Sequence, residues 1–207
     1  TPIQLTIDQI KNKYLTQLTE KDQNNFKENL KIINNQIKQI ENLVNEFSDF
    51  ARMPKPILRK NNLVDIINEN IKLLSELDKS IDIVFVKNSE KIFLECDQEQ
   101  LSRVFLNLIK NSIESIQQKS ENISNFNKKI TIELVHNNSQ ISITIKDNGI
   151  GFENFKENIK DVLNPYITSK KNGTGLGLSI VNKIVNDHNG KIEFISIKDG
   201  AKIKVIF

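Results

Sequence analysis

The feature of this 207-residue sequence that most constrains its fold is the placement of its glycines. All seven lie after residue 148, at positions 149, 151, 173, 175, 177, 190 and 200. A long stretch without glycine favours regular elements with few strained turns, whereas five glycines between residues 149 and 177 indicate loops whose backbone approaches something closely. We therefore expect a functional site in the last third of the chain.

Charge and composition exclude several classes of protein. The 29 basic and 26 acidic residues leave a net charge of +3, which argues against a dedicated nucleic-acid-binding domain. The single cysteine, Cys96, excludes an internal disulfide framework. Because no apolar run approaches the roughly 18 residues of a membrane span and the chain opens at Thr1 without a signal sequence, we expect a cytoplasmic piece of a longer protein, in contact with a membrane only through segments outside this chain.

The first quarter of the chain has the apolar spacing of two amphipathic helices. From residue 22 to residue 51, apolar side chains alternate steps of four and three, at Phe26, Leu30, Ile33, Ile37, Ile40, Val44 and Phe47. A similar spacing runs from Ile3 to Leu18, so the pattern predicts an antiparallel helical hairpin. Narrow stripes of this kind are buried by pairing residues 3–50 with a second copy in a four-helix bundle, or alternatively by packing on the downstream domain.

Two prolines, Pro54 and Pro56, end the long helix and place a domain boundary. We expect a helical domain at residues 1–53, a linker at 54–62 and a second domain at 63–207. In the second domain the patterns predict helices at 63–77, 98–116 and 175–186, and strands at 81–86, 92–95, 130–135, 140–146, 191–195 and 201–207. Helices interleaved with antiparallel hairpins imply an α+β sandwich with a mixed sheet.

Three polar residues gather on one face of the helix predicted at 98–116. Asn107 and Asn111 lie one turn apart with Lys110 beside them, although asparagine is a poor helix former. This face is either simply solvated or a site where amide oxygens coordinate Mg²⁺ beside a polyphosphate whose charge Lys110 offsets.

The segment Asp147-Asn148-Gly149-Ile150-Gly151 follows directly from a predicted strand. Its composition is typical of an ordinary turn. A carboxylate at a strand end can also accept a hydrogen bond from the exocyclic amine of adenine, and the neighbouring glycines let a flat base approach the backbone. Guanine carries a carbonyl at that edge, so the second interpretation predicts selection of ATP.

A Gly-x-Gly-x-Gly pattern spans Gly173 to Gly177 and opens the last predicted helix. Free N–H groups at a helix start suit phosphate, although a flexible lid without a ligand has the same composition. The pattern matches neither the dinucleotide fingerprint nor the P-loop. The polar segment between the two glycine clusters, residues 152–172, is placed to fold over a bound nucleotide.

These signals together resemble the catalytic, ATP-binding part of sensor histidine kinases. Residues 107–111 are similar to the N box of that family, 147–151 to the G1 box, 165–170 to the F box and 173–177 to the G2 box, and the resemblance covers residues 63–207. It implies the Bergerat ATP-binding fold. Residues 1–5 and 46–56 further resemble NtrY-type nitrogen-regulation kinases, in which the hairpin is the dimerisation and phosphotransfer domain.

The resemblance also implies roles for individual residues. Asn111 corresponds to the Mg²⁺ ligand and Lys110 to a phosphate contact, while Asn107 stands where related ATPases keep a general-base glutamate, so that Asn107 and Lys110 are the catalytic positions. Asp147 corresponds to the adenine-reading carboxylate. The remaining expected contacts to the nucleotide are Gly149, Gly151, Lys170, Thr174, Gly175, Leu176 and Gly177.

As implied by the family, the function is that of the kinase core of a two-component sensor attached to the inner membrane. It would transfer the γ-phosphoryl group of ATP to a histidine and then to an aspartate on a response regulator. The family's acceptor histidine would precede Thr1, so we expect the 207-residue chain to be unable to label itself through His136 or His188. An ATPase or chaperone-like clamp is disfavoured by the neutral Asn107, and a degenerate scaffold by the complete set of nucleotide-binding positions.

Overall fold

The computed structural model describes residues 2–121, 123, 125–137, 139–152, 162–165, 167–168 and 173–207. The chain divides into two compact units, residues 1–53 and residues 54–207. Among the described residues, no helix combines the length and the hydropathy needed to cross a membrane.

The first unit consists of two helices. Helix α1 spans Pro2–Tyr14, a 3₁₀ turn spans Leu15–Gln17, and helix α2 spans Glu20–Ala51. The Thr19 hydroxyl accepts a hydrogen bond from the backbone N–H of Asp22 and so caps the start of α2. Ile7 and Leu30 are buried, but most of the predicted apolar stripe on α2 is not, since Ile33, Ile40, Val44 and Phe47 are 45–61% exposed.

The second unit is built on a five-stranded mixed sheet. Its strands are β2 (Asp82–Lys87), β4 (Lys129–Asn137), β5 (Gln140–Asp147), β6 (Lys191–Ser196) and β7 (Ala201–Ile206), in the spatial order β2-β4-β5-β7-β6. Only β2 and β4 are parallel; the other neighbours are antiparallel. Helices α3 (Leu63–Ser75), α4 (Gln98–Ser120) and α5 (Gly177–Asp187) accompany the sheet, which confirms the predicted α+β sandwich.

Strict alternation in β4 and β5 explains how the core forms. One face of this hairpin is buried, through Ile130, Ile132 and Leu134 on β4 and Ile143 and Ile145 on β5. Period-two patterning places these side chains on one side of the sheet, where the buried apolar face of α4 completes the core. The sheet thereby brings the carboxyl end of β5 beside the middle of α4.

The second half of the segment expected as a linker, residues 54–62, contains a strand. Arg59–Asn62 form strand β1, which pairs antiparallel with β3 (Phe93–Cys96) in a separate two-stranded sheet. The Asn62 side chain accepts hydrogen bonds from the backbone N–H groups of Val64 and Ile92 and caps α3. The four residues are all polar and carry no alternation, since the strand is held by backbone pairing, by the Asn61 side chain on the Cys96 carbonyl and by the Asn62 cap.

Candidate functional site

Helix α4 supplies one wall of the candidate site. Its first turn is capped by Asp97, whose carboxylate accepts the backbone N–H of Gln100 at 3.1 Å. Asn107 is partly buried; its amide nitrogen donates to the carbonyl of Arg103, and its oxygen lies toward Gly177. Lys110 is 61% exposed and lies 3.9 Å from Glu114, a contact too long and too solvated to neutralise the ammonium group.

Asp147, the last residue of β5, is 4% exposed and aims its carboxylate at α4. Oδ1 accepts the backbone N–H of Gly149 at 2.9 Å, and Oδ2 accepts the hydroxyl of Ser112 at 3.1 Å. Burial raises the pKa of Asp147, although hydrogen bonds from Gly149, Ser112 and Ala201 and the charge of Lys119 oppose the rise. A buried carboxylate held in this way suits binding of a hydrogen-bond donor better than it suits packing.

The loop after Asp147 lies tightly against α4. A Cβ on Gly149 would overlap the Ser115 hydroxyl and lie 2.6 Å from the Ser115 carbonyl carbon, so only glycine fits. The Ser115 hydroxyl in turn accepts the backbone N–H of Ile150 at 3.0 Å. Gly151 has a positive φ of 68° that L side chains rarely adopt.

Asn148 holds the same loop from its other side. Its side chain accepts the backbone N–H of Lys129 and donates to the carbonyl of Asn127, which ties the loop to the start of β4. Lys119, near the end of α4, donates to the backbone carbonyl of Asn148 at 2.9 Å. The conformation beside Asp147 is therefore fixed before any ligand binds.

The second glycine cluster leads into α5 and meets α4. A Cβ on Gly177 would lie 3.1 Å from the Asn107 side-chain oxygen, so the first residue of α5 and Asn107 are close neighbours. Thr174 accepts the backbone N–H of Leu176 at 3.3 Å, Gly175 has a φ of 71°, and Leu176 is fully buried. The start of an eleven-residue helix thus faces the polar face of α4, a favourable place for an anion.

The structure brings the predicted residues together in two groups. Asp147 and Gly149 lie against α4 at Ser112 and Ser115, and Gly177 lies beside Asn107, one to two turns earlier on the same helix. Lys110 and Asn111 lie on α4 between these groups, while Lys170 falls outside the described residues.

Ser112 and Ser115 were not predicted from the sequence. Both hold the Asp147 loop through their hydroxyl groups. The available signal was a polar residue at 112 on the face of α4 that carries the buried Leu108, Ile109 and Ile116. A polar side chain on such a face needs a partner, but its spacing does not say which one.

The two histidines lie away from this site or are fully engaged. His136 is exposed at the end of β4, where its backbone N–H donates to Asn88. His188, at the end of α5, is buried; its Nε2 accepts the backbone N–H of Asp97 and its Nδ1 donates to the carbonyl of Ile184. The buried Cys96 is a core residue.

Among the described residues, no group of three or more acidic, histidine or cysteine side chains is placed to hold a metal ion. Amide oxygens of α4 beside a polyphosphate fit Mg²⁺ in a different way, because this ion usually keeps several waters and binds through few protein ligands together with phosphate oxygens. The donor set is therefore compatible with a metal that arrives with a nucleotide.

Comparison with known proteins identifies the family of most of the second unit. Residues 96–207 match the family described as histidine kinase-, DNA gyrase B-, and HSP90-like ATPase. A sensor histidine kinase of NtrY-like type from Rickettsia prowazekii is 32% identical over the whole chain, and the nitrogen regulation protein NtrY of Azorhizobium caulinodans is 31% identical over 97% of it. The chain spans 33% and 25% of the length of these two relatives.

Solved structures similar to this chain are also histidine kinases. The catalytic domain of the histidine kinase ThkA matches 73% of this chain and 95% of its own, with a TM-score of 0.62 and 27% identity. ThkA in complex with the response regulator protein TrrA matches the whole chain and 57% of its own, with a TM-score of 0.71 and 23% identity, a likeness of fold. The chain belongs to the histidine kinase-, DNA gyrase B- and HSP90-like ATPase family, as a domain of the sensor histidine kinase type that uses ATP.

Proposed function

We propose that this chain is the kinase core of a two-component sensor histidine kinase, in which residues 63–207 bind Mg²⁺–ATP and present its γ-phosphoryl group to a histidine. The phosphoryl group then passes to an aspartate on a response regulator. Support comes from family membership, from relatives named as NtrY-like sensor kinases and from the ThkA–TrrA complex. The resemblance also supports a cytoplasmic kinase core in a protein attached to the inner membrane by segments outside residues 1–207.

The observation that carries this proposal is the buried carboxylate of Asp147 at the end of β5. Its two oxygens accept protein donors from opposite sides, and Gly149 leaves no side chain between it and α4. A carboxylate in this position accepts hydrogen bonds and donates none when ionised, so it favours the exocyclic amine of adenine over the carbonyl of guanine. This arrangement supports recognition of the base by Asp147 with Gly149 and Gly151 beside it.

The phosphates would lie toward the start of α5. Backbone N–H groups near Thr174, Gly175, Leu176 and Gly177 are the proposed cradle, Lys110 is a further contact, and the side-chain oxygen of Asn111 is the proposed Mg²⁺ ligand. Lys170 is proposed as an additional phosphate contact on sequence resemblance alone. Bound Mg²⁺–ATP supplies the transferable phosphoryl group and the charge that these residues must neutralise, which is the main task of a phosphoryl-transfer site.

Asn107 supports transfer to a protein group over steady hydrolysis. Its amide nitrogen donates a hydrogen bond to the carbonyl of Arg103, and its oxygen faces Gly177 at the start of α5. An amide cannot take a proton from water, so a water molecule at this position would not be activated as a nucleophile. The residue is therefore suited to positioning the phosphate end of the nucleotide.

We further propose that the acceptor histidine lies outside residues 1–207, in a protein about three times this length, as in the Rickettsia relative. Both ring nitrogens of His188 are engaged in a buried site, and His136 is at an exposed strand end of the second unit. A nucleophilic imidazole needs a free nitrogen that can align with the phosphoryl group. The 207-residue chain would then bind ATP without labelling itself.

The helical unit, residues 1–53, is proposed to form a homodimer through residues 3–50. Four large apolar side chains of the predicted stripe on α2 are 45–61% exposed, at Ile33, Ile40, Val44 and Phe47. A continuous apolar stripe on a 32-residue helix is typical of a bundle whose second half is another copy.

Phosphorylation of a longer version of the protein tests the proposal. The 207-residue chain and a chain extended by the native upstream residues should be incubated with γ-labelled ATP. We expect acid-labile, base-stable phosphate on the extended chain only, and none when the extended chain carries Asn111→Ala. Acid-stable phosphate, or equal labelling of both chains, would contradict the assignment of a histidine acceptor outside residues 1–207.

A further inference from the structure

Ser112 lies on the apolar face of α4 and is 2% exposed. The side chains one turn away on the same face, Leu108 and Ile116, are fully buried and apolar. A hydroxyl group in such surroundings is destabilising unless it is hydrogen-bonded. Its partner is the carboxylate of Asp147, 35 residues away in sequence and 3.1 Å from the Ser112 oxygen.

This contact limits the directions from which a ligand can approach Asp147. An ionised carboxylate offers about four lone-pair positions. Among the described residues, the backbone N–H of Gly149 donates to Oδ1 at 2.9 Å and the hydroxyl of Ser112 donates to Oδ2 at 3.1 Å. These two donors, one on each oxygen, occupy part of the acceptor capacity and hold the plane of the carboxylate, so a ligand can bind only at the positions that remain.

We propose that Ser112 is a specificity-determining positioning residue, which fixes the Asp147 carboxylate so that a remaining lone pair accepts the 6-amine of adenine and rejects the 6-carbonyl of guanine. This inference rests on the proposed function, because it requires that Asp147 reads the base. Ser112 acts through Asp147 and does not itself contact the nucleotide.

Removal of the Ser112 hydroxyl should therefore weaken the binding only of nucleotides that carry a 6-amine. Without Ser112, Oδ2 loses a donor and the carboxylate gains rotational freedom, so an amine finds a less well-placed acceptor. A purine nucleotide that lacks the 6-amine has no bond to lose. Packing damage alone would instead weaken the binding of ATP and of the nucleotide without the 6-amine to the same extent.

Calorimetric titration of the 207-residue chain with ATP, GTP and purine riboside triphosphate, which lacks the 6-amine, tests this. Ser112→Ala should lower the affinity for ATP on the order of 5- to 10-fold, the range expected for coupling between residues in contact. It should change the affinity for purine riboside triphosphate by less than about 2-fold. The preference for ATP over GTP should fall by a similar factor. Ser112→Cys, which fills the space with a much weaker donor, should behave like Ser112→Ala.

Two further variants separate the possible outcomes. Ser102→Ala is the matched control, because Ser102 lies on the same helix but bonds to Asn70 of α3. In an Asp147→Asn background, Ser112→Ala should have no further effect on ATP. If Asp147→Asn weakens ATP while Ser112→Ala leaves the discrimination between the nucleotides unchanged, or weakens all of them equally, this inference is overturned. If Asp147→Asn leaves ATP binding unchanged, the proposed function itself fails.

Discussion

Replacement of Asp147 by asparagine separates a binding carboxylate from a structural one. The variant keeps the shape of the side chain, and its amide oxygen can still accept the backbone N–H of Gly149. The amide nitrogen then replaces Oδ2, so a donor stands where the adenine amine needs an acceptor. A hydrogen bond to a charged group contributes roughly 1.5–3 kcal/mol, which corresponds to a loss in ATP affinity of about 10- to 150-fold.

The same change should not reduce the stability of the nucleotide-free protein at neutral pH. Burial raises the pKa of Asp147 in the folded state, so the charged form is less favoured there than in the unfolded chain. The stability associated with this group is present at low pH and is lost as pH rises from the ordinary value of 3.8 through the folded pKa. Asparagine does not titrate and avoids that loss.

Titration calorimetry with ATP and thermal unfolding at pH 7 measure both effects. Asp82→Asn is the control, because this substitution makes the same chemical change at an exposed position on edge strand β2. We expect normal affinity for the control and weak affinity with an undiminished unfolding midpoint for Asp147→Asn. Unchanged ATP affinity in folded Asp147→Asn would show that the Asp147 carboxylate does not bind the adenine amine. A large fall in the unfolding midpoint would indicate that the carboxylate is structural.

Three other perturbations test separate parts of the molecule. Asn111→Ala should weaken ATP binding in the presence of Mg²⁺ more than in its absence, since it removes the proposed oxygen ligand of the metal but leaves Asp147 and its loop intact; equal losses in parallel titrations would contradict the metal role. Ile40→Glu should shift the chain toward monomer in sedimentation experiments, because a charge on the exposed stripe of α2 would be desolvated on pairing, whereas Asn35→Glu, off the stripe, should not; an unchanged mass for Ile40→Glu would contradict the bundle. Hydrogen bonds from Ser80 lower the pKa of Asp78 to about 2, so its stabilisation is present above 3.8 and is lost as pH falls toward 2; acid unfolding of Asp78→Asn should lack that part of the pH dependence.

The main features of the fold could be predicted from sequence because their patterns are local. Alternation in β4 and β5 and the amphipathic spacing of α4 and α5 each follow from burial of one face, and the structure shows those faces buried. Strand β1 was missed because Arg59–Asn62 is polar throughout and depends on pairing with β3, more than thirty residues later. A pairing of that kind leaves no periodic signal.

The site was predictable to the level of motifs but not of contacts. The sequence singled out Asp147 and the glycine loops as candidates because their residue types suit a nucleotide. It could not show that Ser112 donates to Asp147 or that Asn107 faces Gly177, since each contact joins elements whose relative position is set by packing of the whole sandwich. In the sequence Ser112 has no feature that distinguishes it from other serines in helices, because its partner Asp147 is brought to it only by the folded sheet.

We propose that α4, the end of β5 and the start of α5 together form one ATP site. A crystal structure of the 207-residue chain with Mg²⁺ and a non-hydrolysable ATP analogue tests it most directly. We predict the adenine amine within hydrogen-bond distance of the Asp147 carboxylate, the metal on the Asn111 side-chain oxygen and the phosphates at the backbone before α5. A nucleotide bound elsewhere, or bound with its base away from Asp147, would contradict the claim.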